Sequence, residues 1–303
     1  MLKTRHLAAG LLTIAAACAT TTPAGAAPTG PAPIAGGTDV ANGAYPFVAG
    51  LRRVGNTRFF CTGTLIRKDW VLTAGHCVDG ATRTQALEVR LGQNDLDVTA
   101  PLAETRAIDR VVIHPDWGGD AGDKNDVALL HLSAPSGITP ARLGRPASVF
   151  DGITRCNKPQ YFTLRLHNLC VATGVKIFGW GRTPATGDHT SRRLQTTTGP
   201  LFSRKKSGQF WVAKLGACKG DSGGPMLAEQ GGRDHRLTLI GVASYITTGS
   251  GWCDRDGRDF YSDVTTGTSL YTWINMRAQP PTPGNPPQGP ACNPTKPNCH
   301  DPE

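Results

Sequence analysis

Short apolar runs separated by turn-forming residues dominate the chain between residues 34 and 278. Glycine, asparagine, aspartate and proline stand between the runs, as in Gly92-Gln-Asn-Asp95 and His114-Pro-Asp116. Apolar runs of this length with such punctuation are typical of β-strands. The strands predicted in this way are Phe47–Leu51, Trp70–Thr73, Val111–Ile113, Val127–Leu132, Val175–Phe178 and Leu237–Ala243.

Helical periodicity is scarce, and it predicts one helix near the end of this region. Thr266 or Thr268 would cap the helix, and Leu270, Trp273 and Ile274 would form its apolar stripe. Many short strands with one helix predict an all-β barrel or sandwich.

The two ends of the chain differ from this body in composition. Basic residues precede an apolar run, Leu7–Ala19, which is too short to span a bilayer and is followed by small residues. This pattern predicts a signal peptide over 1–26 and a secreted, extracellular protein. Residues 27–33 would be a short propeptide, and 34–278 the folded domain. Residues 279–303, rich in proline, would form an extended tail.

Charge and cysteine content limit the classes of partner. The net charge is +9, but the basic residues are scattered and accompany no nucleic-acid motif. We therefore expect a monomer with no nucleic-acid and no membrane partner. Nine cysteines include Cys18 inside the predicted signal, which leaves eight. An even number in a secreted chain predicts disulfides.

The strongest chemical signal is the segment Gly220-Asp-Ser-Gly-Gly-Pro225. A hydroxyl nucleophile needs an exposed position on a tight turn, with backbone N–H groups free to hold a developing oxyanion. The glycines around Ser222 permit this close approach of backbone and substrate. Taken alone, the segment could also be a surface β-turn, because the same residues dominate turns.

Two further segments supply partners for such a serine. Trp70–Cys77 brings His76 after an apolar strand, and histidine can take a hydroxyl proton near neutral pH. Asn125–Leu130 places Asp126 at the start of a buried strand, where a carboxylate needs a hydrogen-bond donor such as an imidazole N–H. Each residue alone has an ordinary structural reading, as a packed histidine or a strand-start aspartate.

The order His76, Asp126, Ser222 with these flanking segments resembles the chymotrypsin/trypsin family of serine endopeptidases over about residues 34–278. The chain looks like a secreted bacterial-type member. Agreement extends to Ile34-Ala-Gly-Gly37, Gly179-Trp-Gly181 and Tyr271-Thr-Trp-Ile274.

The resemblance implies two six-stranded antiparallel Greek-key barrels, a C-terminal helix and a catalytic cleft between the barrels. It implies that Ser222 attacks the scissile carbonyl, that His76 moves the proton and that Asp126 orients the imidazole. The backbone N–H groups of Gly220 and Ser222 would form the oxyanion hole.

Family members are made as zymogens, so the resemblance also implies an activation step. Cleavage before Ile34 would free an α-amino group that pairs with the buried Asp221. Pro33 departs from the Arg or Lys that precedes the cleaved bond in trypsin-like activation. We therefore expect another protease or stepwise trimming to remove residues 27–33.

Disulfide pairing follows the family for four of the cysteines. The resemblance implies that Cys61 pairs with Cys77 and that Cys218 pairs with Cys253. For the remaining four we predict the local pairs Cys156–Cys170 and Cys292–Cys299.

Substrate preference would depend on five residues of the specificity pocket. Gly216 stands where a trypsin has the pocket-floor Asp, and Ile246 stands where trypsins have Gly, which favours a small or medium aliphatic P1 residue (the residue before the cleaved bond). Ser244, Tyr245 and Ile246 would bind substrate as an added strand. Asp259 supports the alternative of a basic P1 residue, unless it is buried and paired, which would leave an apolar pocket, or is only a solvated turn residue.

No cofactor or metal ion is expected, since Gln93 replaces the leading carboxylate of the family's calcium loop. The expected partners are protein or peptide substrates and protein protease inhibitors. A rival function is that of a catalytically inactive binding protein on the same fold.

Overall fold

The computed structural model describes residues 34, 37–80, 86–97, 103–144, 174–183, 187, 189–204, 209–229, 237–247, 253 and 257–279. In chain order the strands are β1 (Thr38–Asp39), β2 (Val48–Arg53), β3 (Cys61–Arg67), β4 (Trp70–Thr73), β5 (Leu87–Leu91), β6 (Glu104–Ile113), β7 (Ala128–Leu132), β8 (Arg142–Leu143), β9 (Val175–Gly179), β10 (Gln195–Gly199), β11 (Leu201–Arg204), β12 (Phe210–Ala213), β13 (Pro225–Glu229), β14 (Leu237–Thr247) and β15 (Arg258–Asp263). A short 3-10 helix, Gly75–Cys77, follows β4, and helix α1 (Ser269–Arg277) follows β15.

The first half of the structure is a closed barrel of six antiparallel strands in the order β2-β3-β4-β7-β6-β5. Closure comes from the pairing of β2 with β5, in which Gly50 lies opposite Arg90. Gly50 is required because a Cβ atom there would lie 2.4 Å from the ring of the buried Phe59.

The second half is one sheet in the order β1-β10-β9-β13-β14-β15-β12-β11, with β8 added beside β14. Strands β10 and β11 lie towards opposite ends of this order, yet only Pro200 separates them in sequence. The two therefore form one bent strand, which joins both ends of the sheet and closes a second barrel of six strands. The predicted fold class, two six-stranded barrels with a C-terminal helix, is confirmed.

Helix α1 begins as predicted. Thr268 is its N-cap, and the threonine hydroxyl accepts a hydrogen bond of 3.0 Å from the backbone N–H of Tyr271. Leu270, Trp273 and Ile274 are buried. They pack into the core cluster that contains the first barrel.

Several predictions lie outside the described residues. They are the signal peptide over 1–26, the propeptide over 27–33, the tail beyond residue 279 and the disulfides Cys156–Cys170 and Cys292–Cys299. Within the described part of the chain, no helix is long and apolar enough to cross a membrane.

Candidate active site

His76 and Asp126 meet at the end of the first barrel. His76 follows β4 in the 3-10 helix, and Asp126 comes two residues before β7. Asp126 Oδ2 lies 2.8 Å from His76 Nδ1, and Asp126 Oδ1 accepts a 2.9 Å hydrogen bond from the backbone N–H of His76. The bond to the backbone N–H orients the carboxylate. Gly75 leaves room for the carboxylate, because a Cβ atom at Gly75 would lie 3.2 Å from Asp126 Oδ1.

The buried carboxylate of Asp126 also receives support from the second barrel. Ser244, on β14, donates a 2.6 Å hydrogen bond from its hydroxyl to Asp126 Oδ2, and Ser262, on β15, donates to the Asp126 carbonyl at 3.3 Å. A fully buried carboxylate needs such donors to offset its lost hydration. Sequence analysis placed Ser244 in substrate binding and gave Ser262 no role. In the structure the hydroxyl of Ser244 donates to Asp126.

The loop that carries Ser222 is held through its carbonyl groups. Gly220 C=O accepts from the Thr62 hydroxyl at 2.9 Å, and Ser222 C=O accepts from the Thr62 backbone N–H at 2.8 Å. The carbonyls of Lys219 and Asp221 accept from the backbone N–H groups of Arg182 and Gly224, each at 2.8 Å.

The amide groups of the same loop are used differently. Asp221 N–H donates to Cys218 C=O, and Gly223 N–H donates to Ala243 C=O. Among the described residues, the N–H groups of Gly220 and Ser222 have no acceptor. Gly220 has φ +102°, a conformation that only glycine adopts readily. The backbone conformation therefore explains why a glycine occupies this position.

His76 and Ser222 line one cavity of about 200 Å³ that lies beside β14 and β15. Ser244, Tyr245, Ile246 and Asp259, all predicted from the sequence, line the same cavity. Tyr245 stacks on Phe260 at 4.1 Å between ring centroids. Strand β13 pairs with β14 from Leu237 to Val242. The remaining residues of β14, up to Thr247, extend past the end of this pairing.

Asp259 is buried, with 3 % of its surface exposed, which excludes the reading of a solvated turn residue. Its Oδ2 accepts hydrogen bonds from Leu215 N–H at 2.6 Å and Gly216 N–H at 3.1 Å. Burial raises the pKa of this carboxyl to about 6 despite these donors. Gly216 thus supports Asp259 with its backbone, in a left-handed conformation with φ +80°.

Asp221 is buried against the Gly179-Trp-Gly181 segment. Its two oxygens accept from Gly181 N–H at 2.7 Å and Cys218 N–H at 2.8 Å. Burial raises its pKa to about 7. Both glycines are required, because a Cβ at either would lie within 2.5 Å of the carboxylate. Ile34, the predicted new N-terminus, is buried in the core of the second barrel.

The family model described as Trypsin matches residues 34–274, which includes His76, Asp126 and Ser222. The chain belongs to the trypsin family. The resemblance to the chymotrypsin/trypsin family, stated from the sequence motifs, is thereby confirmed.

Individual trypsin-family relatives are similar over most of this chain. It is 30 % identical to coagulation factor XII of Cavia porcellus, and 28 % identical to the urokinase-type plasminogen activator of Gallus gallus. It is also 28 % identical to chymotrypsin-like elastase family member 1 of Canis lupus familiaris. The alignments cover 80, 81 and 80 % of this chain, but 40, 58 and 91 % of the relatives respectively. The chain thus spans about half the length of the first two.

Two disulfides brace this trypsin-family site. Cys61 pairs with Cys77 next to His76, and Cys218 pairs with Cys253 beside the Ser222 loop, as the family resemblance implied.

One group of potential metal ligands lies in the described part of the chain. Cys61, His76 and Cys77 approach one another closely, but both sulfurs belong to the disulfide and offer no thiolate. Gln93 is engaged with Arg90, whose Nε donates to its side-chain oxygen at 2.6 Å.

Proposed function

We propose that this chain is a secreted serine endopeptidase that hydrolyses peptide bonds through an acyl-enzyme on Ser222. The observation that carries the proposal is that His76, which is hydrogen-bonded to the buried Asp126, and Ser222 line the same cavity. The backbone N–H groups of Gly220 and Ser222 have no acceptor among the described residues.

Each residue has a defined role in the proposed reaction. His76 takes the Ser222 proton as Ser222 attacks the carbonyl, and returns the proton to the leaving amine. Asp126 holds the imidazole tautomer and stabilises the imidazolium. The N–H groups of Gly220 and Ser222 bind the oxyanion. In the second half of the reaction, water attacks the acyl group while His76 takes a proton from the water. His76 then returns the proton to the Ser222 oxygen as the acid product leaves.

A fluorophosphonate probe tests this function directly, because it phosphonylates only an activated serine. We expect the processed chain to be labelled at Ser222, and Ser222→Ala to be unlabelled, as read by mass spectrometry of the labelled peptide. Ser133→Ala, an exposed serine outside the cavity, is the control and should be labelled as wild type. A folded, processed chain that resists labelling would favour the inactive binding protein instead.

The cavity favours the basic P1 alternative over the aliphatic one. Asp259 places a buried carboxylate in the lining, and with a pKa of about 6 it is mainly ionised at pH 7.5. A buried anion attracts a cationic side chain more strongly than an anion in water does. Ile246 lies opposite Asp259 in the β14–β15 pairing and limits the width of the pocket.

Asp259→Asn is expected to lower the ratio of kcat/KM for an Arg or Lys substrate to that for a Leu substrate by at least about tenfold at pH 7.5. In wild type the same ratio should fall as the pH drops through about 6, because Asp259 becomes neutral. The ratio cancels any effect of pH on the steps that both substrates share. A P1-varied peptide library measures it, and Asp116→Asn, an exposed acid, is the control. A wild-type preference for small aliphatic P1 residues would contradict the basic assignment.

Activation and partners complete the proposal. Removal of residues 1–33 would free the amino group of Ile34 to pair with Asp221, which fixes the loop of Ser222. Protein and peptide substrates are the natural partners, with protein protease inhibitors as regulators. The enzyme would act outside the cell as a monomer, without a nucleic-acid or membrane partner.

A further inference from the structure

Thr62 connects the two halves of the active site. It is fully buried on β3 of the first barrel, directly after Cys61, whose disulfide partner Cys77 adjoins His76. Its backbone N–H donates to Ser222 C=O and its hydroxyl donates to Gly220 C=O. One residue of the histidine-bearing barrel thus holds the loop of the second barrel at two points.

The hydroxyl of Thr62 acts on the peptide that sets the direction of the Gly220 backbone. The Gly220–Asp221 peptide is held at its carbonyl by Thr62 and at its N–H by Cys218 C=O, at 3.0 Å. The preceding Lys219–Gly220 peptide, which carries the N–H of Gly220, is held at the Lys219 carbonyl by Arg182 N–H at 2.8 Å. The two held peptides flank Gly220 in its left-handed conformation, and its N–H has no acceptor among the described residues.

Thr62 is itself fixed in place. Its carbonyl accepts a 2.8 Å hydrogen bond from the Thr73 hydroxyl, on the strand that leads to His76. Gly223 packs against both threonines, and a Cβ there would lie 2.1 Å from Thr73 Oγ1. The donor to Gly220 is therefore held on a rigid strand pair, as a positioning group must be.

We propose that the Thr62 hydroxyl is a positioning group for the oxyanion hole, acting through the Gly220 carbonyl. The inference rests on the proposed roles of Ser222 and Gly220. Among the described residues, a side chain donates to the carbonyl of Gly220, whereas the carbonyls of Lys219, Asp221 and Ser222 are held by backbone N–H groups. This contact can therefore be removed by substitution while the backbone contacts remain.

Thr62→Val keeps the shape of the side chain and leaves the buried Gly220 carbonyl without a donor. We expect kcat on a chromogenic peptide anilide to fall about 5- to 100-fold, with KM changed less than about threefold, because the oxyanion forms after substrate binding. Thr62→Ser retains the hydroxyl and should restore most of kcat.

Thr64→Val is the matched control. Thr64 is buried on the same strand, and its hydroxyl has no hydrogen-bond partner among the described residues. This variant should keep kcat close to wild type. A fall in kcat for Thr64→Val equal to that for Thr62→Val, or a Thr62→Ser variant as slow as Thr62→Val, would overturn the positioning role.

A second readout separates this inference from the proposed function. Amide hydrogen exchange at Asp221 N–H should be faster in Thr62→Val than in wild type, Thr62→Ser or Thr64→Val, whether or not the chain cleaves peptides. Unchanged exchange in a folded Thr62→Val variant counts against the inference. A wild type that is neither labelled nor active, but shows this exchange pattern, counts against the proposed function and leaves the structural role of Thr62 supported.

Discussion

Asp126→Asn is expected to lower kcat by about 10⁴-fold while the protein stays folded. Asp126 receives both the backbone N–H and the Nδ1–H of His76 on separate oxygens. The asparagine amide has one acceptor oxygen, and if that oxygen faces the backbone N–H, its NH₂ group faces Nδ1. His76 is then held in the tautomer that has its proton on Nε2, which cannot accept the proton of Ser222.

The measurement is kcat on enzyme whose active fraction is determined by fluorophosphonate labelling, with circular dichroism as a check of the fold. Asp109→Asn is a matched control, because Asp109 accepts from His131 Nδ1 at 2.6 Å in an exposed pair, and neither residue lines the cavity. We expect Asp109→Asn to retain wild-type kcat. An Asp126→Asn enzyme with less than a tenfold loss would show that His76 does not depend on Asp126.

The six strands predicted from apolar runs each overlap an observed strand, but the apolar run of β12 was not among them. Trp70–Thr73 was predicted with its observed bounds, and Val175–Phe178 was one residue short. Strands β3 and β10 were not predicted, because threonine and glycine interrupt their apolar pattern. Thr62 and Thr64 are nevertheless fully buried, since their neighbours come from other strands of the barrel and, for Thr62, from the Ser222 loop.

The three residues of the proposed triad were found because each lies in a motif of the family, whereas their supporting groups lie in none. The direction of the Ser244 hydroxyl depends on the bulge between Ala243 and Tyr245, which arises from pairing with β15. The burial of Asp259 likewise depends on its place opposite Ile246. Local sequence alone could not distinguish this pocket carboxylate from a residue of a surface turn.

Asp221 is expected to make the uncleaved chain less stable as the pH rises. Its pKa is about 7 in the folded chain and near 3.8 when unfolded. Between these values the folded state binds the extra proton, so the free energy of unfolding decreases with rising pH, by up to about 4 kcal/mol. Asp259, with a pKa of about 6, contributes in the same direction.

Thermal unfolding of the full chain from pH 4.5 to 7.5, with Ser222→Ala to prevent self-cleavage, measures this dependence. Asp221→Asn should at least halve the decrease in the free energy of unfolding between pH 4.5 and 7.5. This expectation holds whatever the effect of the substitution on the melting temperature at any single pH. Asp97 is an exposed acid paired with Arg192, and Asp97→Asn should show the same dependence of unfolding free energy on pH as wild type. An Asp221→Asn chain with the full slope would show that Asp221 is not the titrating group.

Cleavage before Ile34 should remove the contribution of Asp221 to this decrease. A cationic α-amino group beside Asp221 would favour the ionised carboxylate, so the chain that begins at Ile34 should lose less stability between pH 4.5 and 7.5 than the uncleaved chain, while the contribution of Asp259 remains. In that form Asp221→Asn removes one partner of a buried ion pair, at a cost of about 3–5 kcal/mol, and activity should fall about 10²- to 10³-fold.

A chain that begins at Pro33 is the matched control for the cleaved form, because it differs by one residue. Its amino group lies one residue from the buried Ile34, so it should keep the pH slope of the uncleaved chain and show little activity. Equal activity of the two forms would contradict pairing between Ile34 and Asp221. If Ile34 pairs with Asp221 as proposed, the same buried carboxylate would lower the stability of the uncleaved chain and, once the α-amino group is available, would hold the loop of Ser222 in its active arrangement.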